Sequence, residues 1–162
     1  QQFREQLGPD HILLLRMHPF VLNRPVVPAE FSNQIIDMTD YPDINDLMQV
    51  ADILVTDYSS VIFEFALLKK PIIFLVNDLN AYKEERDFYF PYESFVPGPI
   101  VSSFNDVISW IKAGQFEPKQ IEDFAARFFT YQDGLATKRI VNHILTGALP
   151  DAPMRPEEWK TV

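Results

Sequence analysis

The chain has 162 residues, with 14 Lys and Arg against 23 Asp and Glu, for a formal net charge of −9, and it contains no cysteine. Its 47% hydrophobic and 23% charged residues fit one globular domain with a proper core, which excludes disordered and fibrous classes and leaves no room for two large domains. The acidic balance argues against a general electrostatic grip on nucleic acid or anionic lipid, and the missing thiols exclude disulfides, thiolate zinc sites and cysteine nucleophiles.

In chain order, the sequence opens at Gln1 without a methionine and reads as a domain cut from something longer. The apolar run 12–15 predicts a buried strand that delivers Arg16-Met17-His18-Pro19 at its C-terminal end, with Pro19 holding His18 extended. Residues 21–33, with Pro25 and Pro28, read as loop, and 35–38 as a second short strand. Asp43 is placed to cap a helix through Val50. Residues 52–56 predict a central strand, 57–60 a tight connection and 61–69 a helix. The β-branched run 71–76 predicts another buried strand, and 78–86 a helix. Residues 88–99, rich in aromatics and carrying Pro91, Pro97 and Pro99, read as an ordered loop. A last strand at 100–101 precedes amphipathic helices at 104–113, 118–130 and 134–146, and residues 149–162 form a Pro-rich tail. The longest apolar stretch, 61–68, carries Glu64 and falls far short of the roughly 20 residues of a membrane span.

Alternating strands and helices with near-continuous apolar strands predict a doubly wound α/β domain, a parallel sheet with helices on both faces. Ligands of such sheets bind beyond the strands' carboxyl ends, where both polar clusters fall. Ser59 and Ser60 stand at the start of a helix, where unpaired N–H groups suit a phosphate; one serine would cap the helix in any case, which leaves a hydroxyl spare. Glu64 shares the face of Ser60 one turn on and could accept two ribose hydroxyls or be a solvated position. Asp57 suits a phosphoacceptor, a metal ligand or an acceptor that organises its own turn. His18, with Arg16 on the same side, could donate to a phosphate oxygen or polarise a leaving group. His11 and His143 have no such context, and no transition-metal site is legible. G-x-G-x-x-G, the P-loop and G-x-S-x-G are all absent.

Arg16-Met17-His18-Pro19, Tyr41-Pro42-Asp43-Ile44-Asn45-Asp46-Leu47, the run from Ala51 through Thr56-Asp57-Tyr58-Ser59-Ser60 to Glu64-Phe65-Ala66, Lys70-Pro71-Ile72-Ile73-Phe74 and Pro97-Gly98-Pro99-Ile100 together resemble the CDP-glycerol glycerophosphotransferase family, which primes and polymerises wall teichoic acid. The resemblance implies a GT-B arrangement, two Rossmann-like domains facing a cleft, with residues 1–148 as the C-terminal, donor-binding domain, lacking its first strand. It implies that His18 and Arg16 act on the pyrophosphate of CDP-glycerol, that Thr56, Asp57, Tyr58, Ser59 and Ser60 surround the phosphates, and that Glu64 meets the ribose. An acceptor hydroxyl would attack the glycerol-bearing phosphorus and expel CMP, with no cofactor or metal. The base and the teichoic acid acceptor would lie with the N-terminal domain. The location implied is cytoplasmic, the parent being peripheral on the inner face of the membrane, without nucleic acid and without membrane contact by this domain. Three rivals stand beside it: a GT-B domain using another nucleotide-activated donor, including ribitol or sugar conjugates; a receiver-like domain with Asp57 as phosphoacceptor; and a non-catalytic interaction module, which the polar residues concentrated at strand ends disfavour. The second is disfavoured because Arg16 and His18 stand where a receiver needs an acidic pair.

Overall fold

A computed structural model describes residues 2–18, 20–86 and 88–147, so Pro19 and the expected tail lie outside the described residues. The elements in order are α1 (Gln2–Leu7), β1 (Leu13–Leu15), a 3-10 turn (Ala29–Phe31), β2 (Ile35–Asp37), α2 (Ile44–Val50), β3 (Leu54–Thr56), α3 (Val61–Leu67), β4 (Ile72–Leu75), α4 (Leu79–Arg86), α5 (Tyr92–Phe95), β5 (Ile100–Val101), α6 (Phe104–Ala113), α7 (Pro118–Phe128) and α8 (Ala136–Thr146).

Local chemistry sets several of these boundaries. Asp43 caps α2 by accepting the Asn45 N–H at 2.8 Å. That bond and a second one from the Asn45 side chain hold its carboxyl below its ordinary value. Ser103 caps α6 through the Asp106 N–H, and Gly114 ends the helix in the left-handed conformation at φ 61°. Pro118 opens α7, where a missing N–H costs nothing. Lys70 covers the carbonyls that end α2, donating to Gln49 at 2.6 Å and Ala51 at 2.8 Å, and so ties that helix to the entry of β4.

All observed strand pairs are parallel, as the sequence implied. β1 pairs with β2, with Leu13 opposite Ile35, and β3-β4-β5 form a second sheet, with Leu54 opposite Ile72 and Phe74 opposite Ile100. A single sheet was expected, and among the described residues there are two. Strands β1 and β3, like β2 and β5, are each paired along one edge only, and β4 alone is paired along both. Their burial reflects it: the three leucines of β1 are half-buried and Val55 of β3 is 36% exposed, whereas Ile72, Ile73 and Phe74 of β4 are 1%, 0% and 0% exposed.

The core is organised by the alternation of β4. Ile72 and Phe74 join Ile62, Phe65 and Ala66 of α3 and Ile121, Phe124 and Ala125 of α7 on one face, with Met48 and Tyr92 at its margins. Ile73 points the other way, to Val101 and Val107, with Trp110, Ile111 and Phe116 packed around them. Helices therefore cover both faces of the three-stranded sheet, the α/β class read from the sequence.

Two short helices went unread. α1 buries Phe3 and packs on α6. α5 interrupts the expected loop at 88–99: Pro91 precedes its first turn, and Tyr92 and Phe95, three residues apart, both turn into the core cluster.

Gly98 sits where β5 enters beside β4. A Cβ on it would fall 2.1 Å from the Ile72 carbonyl oxygen, while the neighbouring Pro99 carbonyl accepts the Phe74 N–H at 2.9 Å. Gly98→Ala is therefore expected to cost at least about 2 kcal/mol of stability, because the clash is with backbone. Urea unfolding checks it: an unchanged midpoint would mean that the two strands can part without cost.

Candidate functional site

Both polar clusters fall at the C-terminal ends of parallel strands. The first follows β1. Arg16 donates from Nη1 to the Tyr41 carbonyl at 2.6 Å, and the Met17 N–H donates to the Thr39 hydroxyl at 3.2 Å, so the ends of β1 and β2 are laced together. Thr39 also donates its N–H to Asp37, and its hydroxyl and N–H together hold the Asp37 carboxyl below its usual value. His18 accepts the Phe20 N–H at Nδ1, 3.2 Å away, which fixes the tautomer of the neutral ring with its proton on Nε2. Arg16 and His18 are both exposed, and the ring of Phe20 lies edge-on to His18 at 4.9 Å.

The second cluster follows β3. Thr56 is the strand's last residue, in register with Phe74. Asp57 accepts the Tyr58 N–H on its own Oδ1 at 2.7 Å, so its carboxylate organises the turn, one of the three roles weighed for it. Ser59 accepts the Val61 N–H at 3.3 Å, whereas Ser60, at the cap position, makes no capping bond with its side chain. The sequence predicts that one serine caps the helix; here the residue at the cap position makes no such bond, and the Ser59 hydroxyl before it takes the Val61 N–H instead. The N–H groups of Ser59 and Ser60 donate to no atom among the described residues. Glu64 lies one turn into α3, exposed and without a hydrogen bond or ion pair.

Tyr58 packs its ring into an aromatic cluster. Its ring stacks on Tyr82 at 3.8 Å, packs against Phe88 and Tyr92, and its hydroxyl donates to Asp78 Oδ1 at 2.7 Å. Tyr92, 3% exposed, donates its hydroxyl to the Asp57 carbonyl at 2.8 Å. Asp78, Tyr82 and Tyr92 were not singled out in the sequence; the density of aromatics at 82–95 was the available signal. No hydrogen bond or ion pair among the described residues joins Arg16 or His18 to the 56–64 group, which belongs to the other sheet. Among the described residues there is no cluster of three metal-ligating His, Asp or Glu, and no helix is long and apolar enough to cross a membrane.

Parallel sheets layered with helices, with polar clusters at the strand C-terminal ends, define a Rossmann-like α/β class. Residues 1–146 match the family described as CDP-Glycerol:Poly(glycerophosphate) glycerophosphotransferase, and the chain belongs to that family. It is 41% identical over 140 residues to the teichoic acid poly(ribitol-phosphate) polymerase of Bacillus spizizenii, covering 86% of this chain and 23% of that protein. It is 40% identical over 151 residues to the teichoic acid glycerol-phosphate transferase of Staphylococcus aureus, covering 89% of this chain and 38% of that one. Among solved structures, the GT-B-like wall teichoic acid polymerase TagF superposes with a TM-score of 0.75 at 33% identity, over 88% of this chain and 36% of TagF. A histidine-to-asparagine variant of TagF soaked with CDPG superposes with the same TM-score of 0.75. The chain thus spans between about a quarter and two fifths of the length of these relatives.

Burial first, and then the bond to Asp78, push the Tyr58 phenol well above its usual value; burial, reinforced by Tyr58 and Asp57, does the same for Tyr92. A raised folded-state value means that these groups stabilise the fold fully below the unfolded phenol's pKa, and that this contribution is lost as pH rises through the folded values. Stability is therefore expected to fall above about pH 10, with a shallower fall in Tyr58→Phe and Tyr92→Phe. Urea midpoints against pH give the answer, and equal alkaline slopes in all three proteins would refute it.

Proposed function

We propose that this chain is the donor-binding, C-terminal domain of a GT-B glycerophosphotransferase, with residues 1–148 holding CDP-glycerol and a partner domain supplying the teichoic acid acceptor. The observation that carries the reading is the loop at 56–60: two adjacent unpartnered N–H groups and the spare Ser60 hydroxyl at a strand's C-terminal end, in a chain of the CDP-glycerol family. These donors suit phosphate oxygens. Thr56, Asp57, Tyr58, Ser59 and Ser60 form the segment that surrounds the donor phosphates, and Glu64, exposed and unpaired, accepts the ribose hydroxyls.

Transfer requires an acceptor hydroxyl to attack the glycerol-bearing phosphorus while the bond to CMP breaks, so the protein's task is positioning and stabilising charge on the leaving phosphate. Arg16 serves as a fixed positive charge, held in place by the Tyr41 carbonyl. His18, with Nδ1 accepting from the backbone, offers Nε2–H to a phosphate oxygen. The base that activates the acceptor belongs to the partner domain, and the parent works from the cytoplasmic face of the membrane, where its acceptor is anchored.

A second reading changes the alcohol on the donor. The polymerase of B. spizizenii, at 41% identity, carries ribitol phosphate in its name, against 40% for the glycerol-phosphate transferase of S. aureus. The chemistry at the pyrophosphate is the same for both. Calorimetry of the chain with CDP, CDP-glycerol and CDP-ribitol separates the readings. Binding of all three supports a cytidine diphosphate site, and tighter binding of one conjugate identifies the alcohol. No binding of any by folded protein at millimolar ligand would overturn the proposal. His18→Ala in the full-length parent is expected to lower turnover about 100-fold or more while leaving thermal stability unchanged; an unaltered rate would remove His18 from the chemistry.

A further inference from the structure

Asp78 and Tyr92 are assigned no role by family membership, and both grip the candidate phosphate loop from outside it. Tyr92 reaches across 35 residues to donate its hydroxyl to the Asp57 carbonyl, and Asp78 across 20 residues to accept the Tyr58 hydroxyl. Between these two anchors lie the backbone groups with no partner, the N–H groups of Ser59 and Ser60. The loop has three further ties, from the Tyr58 N–H to Asp57, from the Val61 N–H to Ser59 and from the Phe63 N–H to the Ser60 carbonyl, and all three run no further than the first turn of α3. The passage from β3 into α3 fixes the loop's two ends, and bonds from outside the loop hold the span between them. These two long-range bonds come from the end of β4 and from α5.

We infer that Asp78 and Tyr92 are positioning residues for donor binding: they hold the 57–60 loop so that the Ser59 and Ser60 N–H groups converge on one anion. The inference rests on reading that loop as the phosphate site. Asp78 is itself exposed, so its side chain fills no core position, and what it contributes passes through Tyr58. Tyr58 in turn is clamped between Tyr82 and Tyr92, with ring centroids 3.8 Å and 5.5 Å away, so its ring ties the loop to both neighbours. Both phenols stay protonated through neutral pH, so both bonds persist under working conditions.

The test uses Tyr92→Phe, which keeps the buried ring and removes only the donor, together with Asp78→Ala and Asp78→Asn. Asn keeps a carbonyl oxygen for the Tyr58 hydroxyl and is the rescue variant. Amide hydrogen exchange at Tyr58, Ser59 and Ser60 is read alongside the affinity for CDP and the thermal midpoint. Tyr92→Phe and Asp78→Ala are expected to speed loop exchange and weaken CDP binding by about three- to tenfold, the loss of one hydrogen bond. Asp78→Asn should retain wild-type behaviour. A lowered midpoint with unchanged loop exchange and unchanged CDP affinity overturns the inference and leaves the two residues merely structural. Should the wild-type chain bind no CDP, the phosphate-site reading fails by itself, and unchanged loop exchange in the variants still refutes the positioning role.

Discussion

Strand β4 is the constraint from which the rest follows. It is hydrogen-bonded on both edges and buried on both faces, so each of its side chains is committed: Ile72 and Phe74 to the α3–α7 layer, Ile73 to the α6 layer. Burial of side chains of this size contributes roughly 1.5–3 kcal/mol each, enough to fix the strand against small displacements. Its ends carry the connections. Lys70 enters it with α2 in tow through the Gln49 and Ala51 carbonyls, and Asp78 leaves it holding Tyr58. Pro97-Gly98-Pro99 then brings β5 alongside at a distance only a glycine tolerates.

The site inherits its rigidity from that strand at one remove. A loop of five residues with exposed serines would have little to hold it if it were tied only to itself, since local side-chain to backbone bonds shape a turn without orienting it. Here the aromatic stack of Tyr58, Tyr82, Phe88 and Tyr92 lies between the loop and the core, and Tyr92 itself packs against Phe74 of β4 at 6.0 Å. The path from Phe74 to Tyr92 to the Asp57 carbonyl is continuous contact. In contrast, the Arg16–His18 segment leans on the β2 end through Thr39 and Tyr41, an arrangement built from exposed polar bonds rather than buried rings. The two halves of the proposed site therefore rest on foundations of different stiffness.

Much of the fold was legible because the strands are short apolar runs closed by polar residues, and because Asp43 is a cap residue in a cap position. The division into two sheets was not legible: a strand's composition reports how deeply it is buried, not which neighbour each edge finds. Leu54 and Val55 read as central, yet β3 is an edge among the described residues. α5 was hidden by its prolines, which mark loops more often than they precede a single turn. In the site, the serines, Asp57, Arg16 and His18 could be found because they cluster in sequence at strand ends. Asp78 and Tyr92 could not, since a hydrogen bond across 20 or 35 residues leaves no local pattern.

Charge shows how an acidic domain can present an anion site. Most cations among the described residues that form ion pairs do so with a surface carboxylate: Arg24 with Asp40, Lys69 with Glu122, Lys83 with Glu93 and Lys119 with Asp123. Such pairs add little to stability, but they cancel local positive potential. Arg16 is bound differently. Its partner is a backbone carbonyl, a dipole that fixes the guanidinium without neutralising it. The nearby Asp43 carboxylate is occupied with the Asn45 N–H and side-chain amide at the start of α2. Lys70 and Arg4 are likewise bound to carbonyls, so a net charge of −9 is compatible with several places where positive charge is held without a carboxylate partner, Arg16 being the one at the end of β1. Against a background that repels anions in general, such locally held charge is what the proposed donor site would require.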